Sequence, residues 1–108
     1  MCELFYISRK EGLRKSDIVA ISIKAVDSAD SNADAWGIFN DKGEIFQNSG
    51  KLKSDHIKDI AVKFEGSKYI VIHTRLATGG NLTIPHPFTH EDYILSHNGI
   101  VRCEHFEN

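Results

Sequence analysis

Residues 69–80 read YIVIHTRLATGG. Tyr69 to His73 is a short apolar run, and Gly79 and Gly80 follow a few residues later. A run of this length closed by turn residues predicts a buried strand, here a central one. Upstream, Ser54 and Asp55 can start a helix whose apolar face is Ile57, Ile60, Ala61 and Phe64, and Gly66 is suited to end it. Further back, Ala35 to Phe39 is apolar through Trp36, Gly37 and Ile38. Asn40-Asp41-Lys42-Gly43 is a turn signal, so Glu44 to Gln47 can return as the second arm of a hairpin. Downstream, Thr78 to His90 reads as a long irregular loop with Gly79, Gly80, Pro85 and Pro87. Loops of that length inside a compact domain are often functional. Tyr93 to Ser96 then reads as a strand, His97-Asn98-Gly99 as a turn, and Ile100 to Cys103 as a returning strand.

At the start of the chain, Cys2 to Ser8 carries Leu4, Phe5, Tyr6 and Ile7 and predicts another buried strand. Arg9 to Lys15 is charged, contains Gly12 and reads as a loop, after which Ser16 and Asp17 form a fair helix start. The next run fits two periods. Ile18, Ile21 and Ala25 make a helical face, while Val19, Ile21 and Ile23 alternate as in a strand. Asp27 to Asp34 is rich in Ser, Asn and Asp and reads as a polar loop. Strands, then helix, then strands, with no internal repeat, predict an α+β domain.

With 108 residues the chain supports one small domain, 1–108, with one hydrophobic core. Apolar residues at 41% and charged residues at 26% are ordinary for a globular protein. The net charge of −2, with acids and bases interspersed, gives no electrostatic case for nucleic acid or an anionic membrane as partner. No apolar run reaches the ~20 residues of a membrane span. The first residues, MCELFYISRK, lack the layout of a secretory signal, which predicts a cytoplasmic protein. Cys2 and Cys103 do not make a disulfide framework and read as free thiols.

Three segments carry chemistry. Removal of Met1 would leave Cys2 with both a thiol and a free α-amine. An α-amine has a reference pKa of about 7.7–8.0, so near neutral pH it can accept a thiol proton, directly or through water. The second segment is HTRLATGG, residues 73–80, where an Arg at a strand end can meet a carboxylate with its planar fork. The third is SHNGIV, residues 96–101, where a tight turn can aim the Asn98 amide and the Gly99 backbone N–H at one point as an oxyanion hole. Taken singly, each has a plain reading: a small residue after Met, a surface Arg paired with an acid, a hairpin turn.

Together, MCELFYIS, ADAWGIF, HTRLATGG, HPF and LSHNGIV, in this order, resemble the class II glutamine amidotransferases. These are N-terminal-nucleophile (Ntn) enzymes, and the match is with their short, YafJ-like branch. The resemblance spans Cys2 to about Val101. It implies an Ntn-hydrolase-like αββα sandwich with antiparallel sheets, here shortened to the N-terminal portion of the usual domain. It implies that Cys2 attacks the side-chain amide of L-glutamine, with its α-amine as general base. Asn98 and Gly99 would hold the oxyanion, and Arg75 would bind the substrate α-carboxylate. Thr78 would line the pocket, and His86-Pro87-Phe88 would lie in the loop over it. His73 would pack beneath the site, and Trp36 and Gly37 would be structural. No cofactor or metal is implied. An ammonia-accepting synthase, if any, would be another protein.

The chain departs from the family pattern in two places. Gly79 stands where the best-known members often carry His, and only nine residues follow Gly99, whereas the family supplies an acid for the substrate α-ammonium downstream. Glu104 and Glu107 lie there without a motif to assign them. Two other readings follow. One is a catalytically inactive, shortened domain that binds a protein partner, another amidotransferase subunit or a host protein; an open sheet edge at the shortened end would also favour a second chain completing the sheet. The other is a metal site drawn from His86, His90, His97, Cys103 and His105, against which Pro85 and Pro87 argue by excluding a helix.

Overall fold

The structure, a computed structural model, describes residues 2–76, 87–90 and 93–95. In chain order the elements are β1 (Glu3–Ser8), α1 (Lys15–Ser28), β2 (Ala35–Asn40), β3 (Ile45–Ser49), a 3-10 turn (Ser54–His56), α2 (Ile57–Phe64), β4 (Tyr69–Arg75), β5 (Phe88–His90) and β6 (Tyr93–Leu95). The first four strands form one antiparallel sheet in the order β1-β4-β2-β3, and β5 pairs with β6 in a second, two-stranded sheet. The α+β class expected from the sequence is therefore present.

β4 is central, as its apolar run predicts, with β1 on one side and β2 on the other. Side chains alternate across a strand, so the register sorts the sheet into two faces. Ile70 and Ile72 of β4, Phe5 and Ile7 of β1, Trp36 and Ile38 of β2, and Phe46 of β3 pack on one side. There they meet Ile18, Ile21 and Ala25 of α1 and Ile60, Ala61 and Phe64 of α2. Trp36 meets Phe46 edge-on, with ring centroids 5.0 Å apart. Removing a buried aromatic ring leaves a cavity, so Phe64→Ala is expected to cost about 3–5 kcal/mol in a denaturant titration.

The double-period run after Ser16 resolves as helix. The buried positions Ile18, Ile21, Ser22 and Ala25 follow the 3.6-residue period and not the alternation. The helix extends to Ser28, into the stretch read from sequence as polar loop. Its start also lies earlier than expected. Arg14 is the cap, and its backbone N–H donates to Asp17 Oδ2 at 2.9 Å while its guanidinium pairs with the same carboxylate. The guanidinium and backbone hydrogen bonds from Arg14 hold the Asp17 carboxyl below its ordinary value of 3.8. Its contribution to stability is therefore complete above that pH and is lost as acid titrates the folded carboxyl.

Gly66 closes α2 with φ 86° and donates its N–H to the Leu13 carbonyl at 2.8 Å. A Cβ on Gly12, itself at φ 101°, would come within 3.0 Å of the Gly66 carbonyl oxygen, so these two loops touch backbone to backbone. Another deviation lies in the long loop: Phe88–His90, read as irregular, is β5 and pairs with β6. The turn at 97–99 and the strand expected at 100–103 lie outside the described residues.

The Asn40 turn is built as the sequence predicts, with Gly43 at φ 76°. The buried Asn40 accepts from the backbone N–H groups of Lys42 and Glu44 and donates to Glu44 Oε1 and Ser67 Oγ. It thus ties the hairpin to the loop before β4. Asn40→Ala would leave the buried Ser67 hydroxyl without this bond and release the turn amides, and is expected to lower stability by about 1–3 kcal/mol, measurable by chemical denaturation.

Candidate functional site

β1 and β4 pair from Ser8↔Tyr69 to Glu3↔Thr74. Continuing that register by one residue sets Cys2 across from Arg75. Arg75 pairs on its other side with Ala35, and His73 pairs with Gly37. By strand alternation Cys2, His73 and Arg75 share the face turned away from the helices. All three are buried: Cys2 is 9% exposed, Arg75 4% and His73 1%. Gly37, beside His73, is also buried.

The Cys2 thiol lies 3.6 Å from the carbonyl oxygen of Leu76, the residue after Arg75, in donor geometry. This contact spans most of the described chain and joins the beginning of β1 to the end of β4. Cys2 is a free thiol. The strand-end Arg singled out from sequence thus stands beside the proposed nucleophile. β4 runs through Arg75, two residues further than the apolar run suggested, so the guanidinium is rooted in the sheet itself.

The other proposed site residues, Thr78, His86, Asn98 and Gly99, lie outside the described residues. Pro87, next to His86, is buried. Trp36 lies on the helix side of β2, in the core, and has the structural place expected for it. Among the described residues, no cluster of three or more His, Cys, Asp or Glu is placed to hold a metal, and no helix is long and apolar enough to cross a membrane.

The same sheet face changes character along its length. At the Cys2 end it is covered. Toward the other end Leu4 is 44% exposed and Tyr6 64%, with Tyr69, Val71 and Phe39 half-buried around them. Tyr6 and Tyr69 lie against each other at 5.7 Å between ring centroids.

One feature of this end escaped sequence reasoning. Behind Cys2 and Arg75, on the helix side, Ser28 Oγ lies 2.8 Å from Glu3 Oε1 and 2.9 Å from Thr74 Oγ1. Asn32 Nδ2 donates to the same Glu3 oxygen and to Ser28. Ser28 and Asn32 lie in the polar stretch read as loop, where nothing in the residue types marks a contact 25 or more positions away.

No family model matches the chain, and no curated protein or solved structure matches it.

Proposed function

We propose that the chain is a class II glutamine amidotransferase domain that hydrolyses the glutamine side-chain amide through a Cys2 thioester. The observation that supports it most is that the β1–β4 register, continued by one residue, sets Cys2 across from Arg75, with both buried and with the Cys2 thiol 3.6 Å from the Leu76 carbonyl oxygen. On this account a thiol stands near a guanidinium whose planar fork can bind a carboxylate. In this reading the four-stranded sheet and its two helices are the first two layers of an Ntn αββα sandwich. The second sheet would stack on the face that carries Cys2, and β5 and β6 would belong to it.

The chemistry follows from residue types. Excision of Met1 frees the Cys2 α-amine, which takes the thiol proton. The thiolate attacks the glutamine amide carbon, and a C–S bond forms as the carbonyl π electrons move onto oxygen. Asn98 and Gly99 would donate to that oxyanion. The intermediate collapses, the C–N bond breaks, and the ammonium of Cys2 returns its proton to the departing ammonia. Water, deprotonated by the same amine, then cleaves the thioester to glutamate and restores the thiol. Arg75 would hold the α-carboxylate by two parallel hydrogen bonds, with Thr78 and His86 lining the pocket. No cofactor takes part. Released ammonia would pass to a separate synthase.

A second reading draws on Leu4 and Tyr6. Exposed apolar side chains on a sheet face favour an inactive domain that completes its layer with another chain. A glutaminase assay on Met-processed protein beside Cys2→Ala separates the two. The account expects ammonia release from the parent and its loss, by at least about 10³-fold, from the variant. Equal turnover in both would remove Cys2 as nucleophile, and zero turnover in the processed parent would favour the binding domain. Arg75→Lys, which loses the planar fork, is expected to raise KM about tenfold or more with a smaller change in kcat.

A further inference from the structure

We propose that Ser28 and Asn32 are positioning residues that fix Cys2 against Arg75 by clamping their chain neighbours, Glu3 and Thr74, an inference that rests on the glutaminase reading for its catalytic consequence. Glu3 and Thr74 face each other directly in the β1–β4 register. Each is one peptide from a proposed functional residue, Glu3 from Cys2 and Thr74 from Arg75. Because side chains alternate, a tie on the helix face sets the backbone whose next side chain enters the opposite face.

The tie has a definite polarity. Ser28 Oγ has one proton, and at 2.8 Å it donates it to Glu3 Oε1, which can only accept if it is a carboxylate. Thr74 Oγ1, 2.9 Å away, must then donate to Ser28. Asn32 Nδ2 closes the group with bonds of 3.4 Å to Glu3 Oε1, 3.2 Å to Ser28 O and 3.2 Å to Ser28 Oγ. Turning the Asn32 amide over would set its oxygen against the Glu3 carboxylate. In the orientation present, Asn32 Oδ1 is buried without a hydrogen-bond partner among the described residues. An orphaned buried carbonyl is destabilising, so this amide gives up stability to hold Glu3 and Ser28 together.

The two strands need the clamp unequally. β4 is held by neighbours on both sides, so Arg75 is fixed without help. β1 is an edge strand, and Cys2 lies one residue past its last pair. Loosening the clamp should therefore move the nucleophile and leave the carboxylate binder in place. Misplacement of a reacting group by about 1 Å can reduce the rate by ~10².

The test compares Met-processed parent, Ser28→Ala and Ser28→Thr in glutaminase kinetics and in residue-resolved hydrogen exchange. In Ser28→Ala the expected kcat falls by about 10–100-fold while KM stays within about threefold. Ser28→Thr keeps the hydroxyl and should recover most of kcat. Arg9 N–H donates to the Lys68 carbonyl, so by the alternation of an antiparallel pair the Glu3 amide faces Thr74 and the Leu4 amide faces the open edge. Exchange at the Glu3 amide should therefore quicken at least about tenfold, with those of 70–72 unchanged. Parent-like kcat with parent-like exchange in Ser28→Ala would overturn the proposal, and so would exchange that rises equally at every amide. If the processed parent itself has no turnover, the glutaminase reading fails, and exchange at the Glu3 amide alone still decides whether the clamp exists.

Discussion

β4 carries two incompatible environments on one strand, and the rest of the described structure is arranged around that division. Ile70, Ile72 and Thr74 turn toward α1 and α2, and Val71, His73 and Arg75 turn away. The backbone pleat enforces this division, because a register slip of one residue would put Arg75 into the apolar core. Desolvating an unpaired guanidinium there would be far more costly than losing a contact. The apolar layer under the helices therefore holds the strand in register, and that register fixes which residues reach the opposite face.

That opposite face is where packing and chemistry diverge. A sheet buried on one side by helices ordinarily shows polar side chains on the other. Here the outward positions include Leu4, Tyr6, Val71 and Phe39, and a buried Cys, His and Arg gather at one end. Such a face does not suit full exposure to water. It suits a second layer, intramolecular in an Ntn sandwich or supplied by another chain in a binding domain. The buried polar end is the part that a purely structural sheet would not require, since aliphatic residues would pack there at lower cost.

Much of the frame was legible in the sequence. The apolar run at 69–73 marked the central strand, Asn40 to Gly43 marked the hairpin turn, and Gly66 marked the end of α2, because strand period and turn chemistry are local signals. The run after Ser16 was not legible, since Ile21 serves both periods and only packing against Ile60 and Phe64 selects the helix. β5 was hidden because Phe88–His90 offers only three residues beside two prolines. At the candidate site, Cys2 and Arg75 were singled out by residue type and order, while their placement near each other follows from the β1–β4 register across most of the chain. The Ser28 and Asn32 bonds had no sequence signal at all, because Ser and Asn in a polar stretch are common.

The central claim is that Cys2, freed of Met1, is a nucleophile in a pocket that recognises glutamine through Arg75. The most direct measurement is intact mass and peptide mapping after incubation with an electrophilic glutamine analogue. One covalent adduct is expected, on Cys2, in molecules that have lost Met1, and excess L-glutamine should protect against it. Labelling that is indifferent to glutamine, spread over both cysteines, or equal in molecules that keep Met1 would contradict the account.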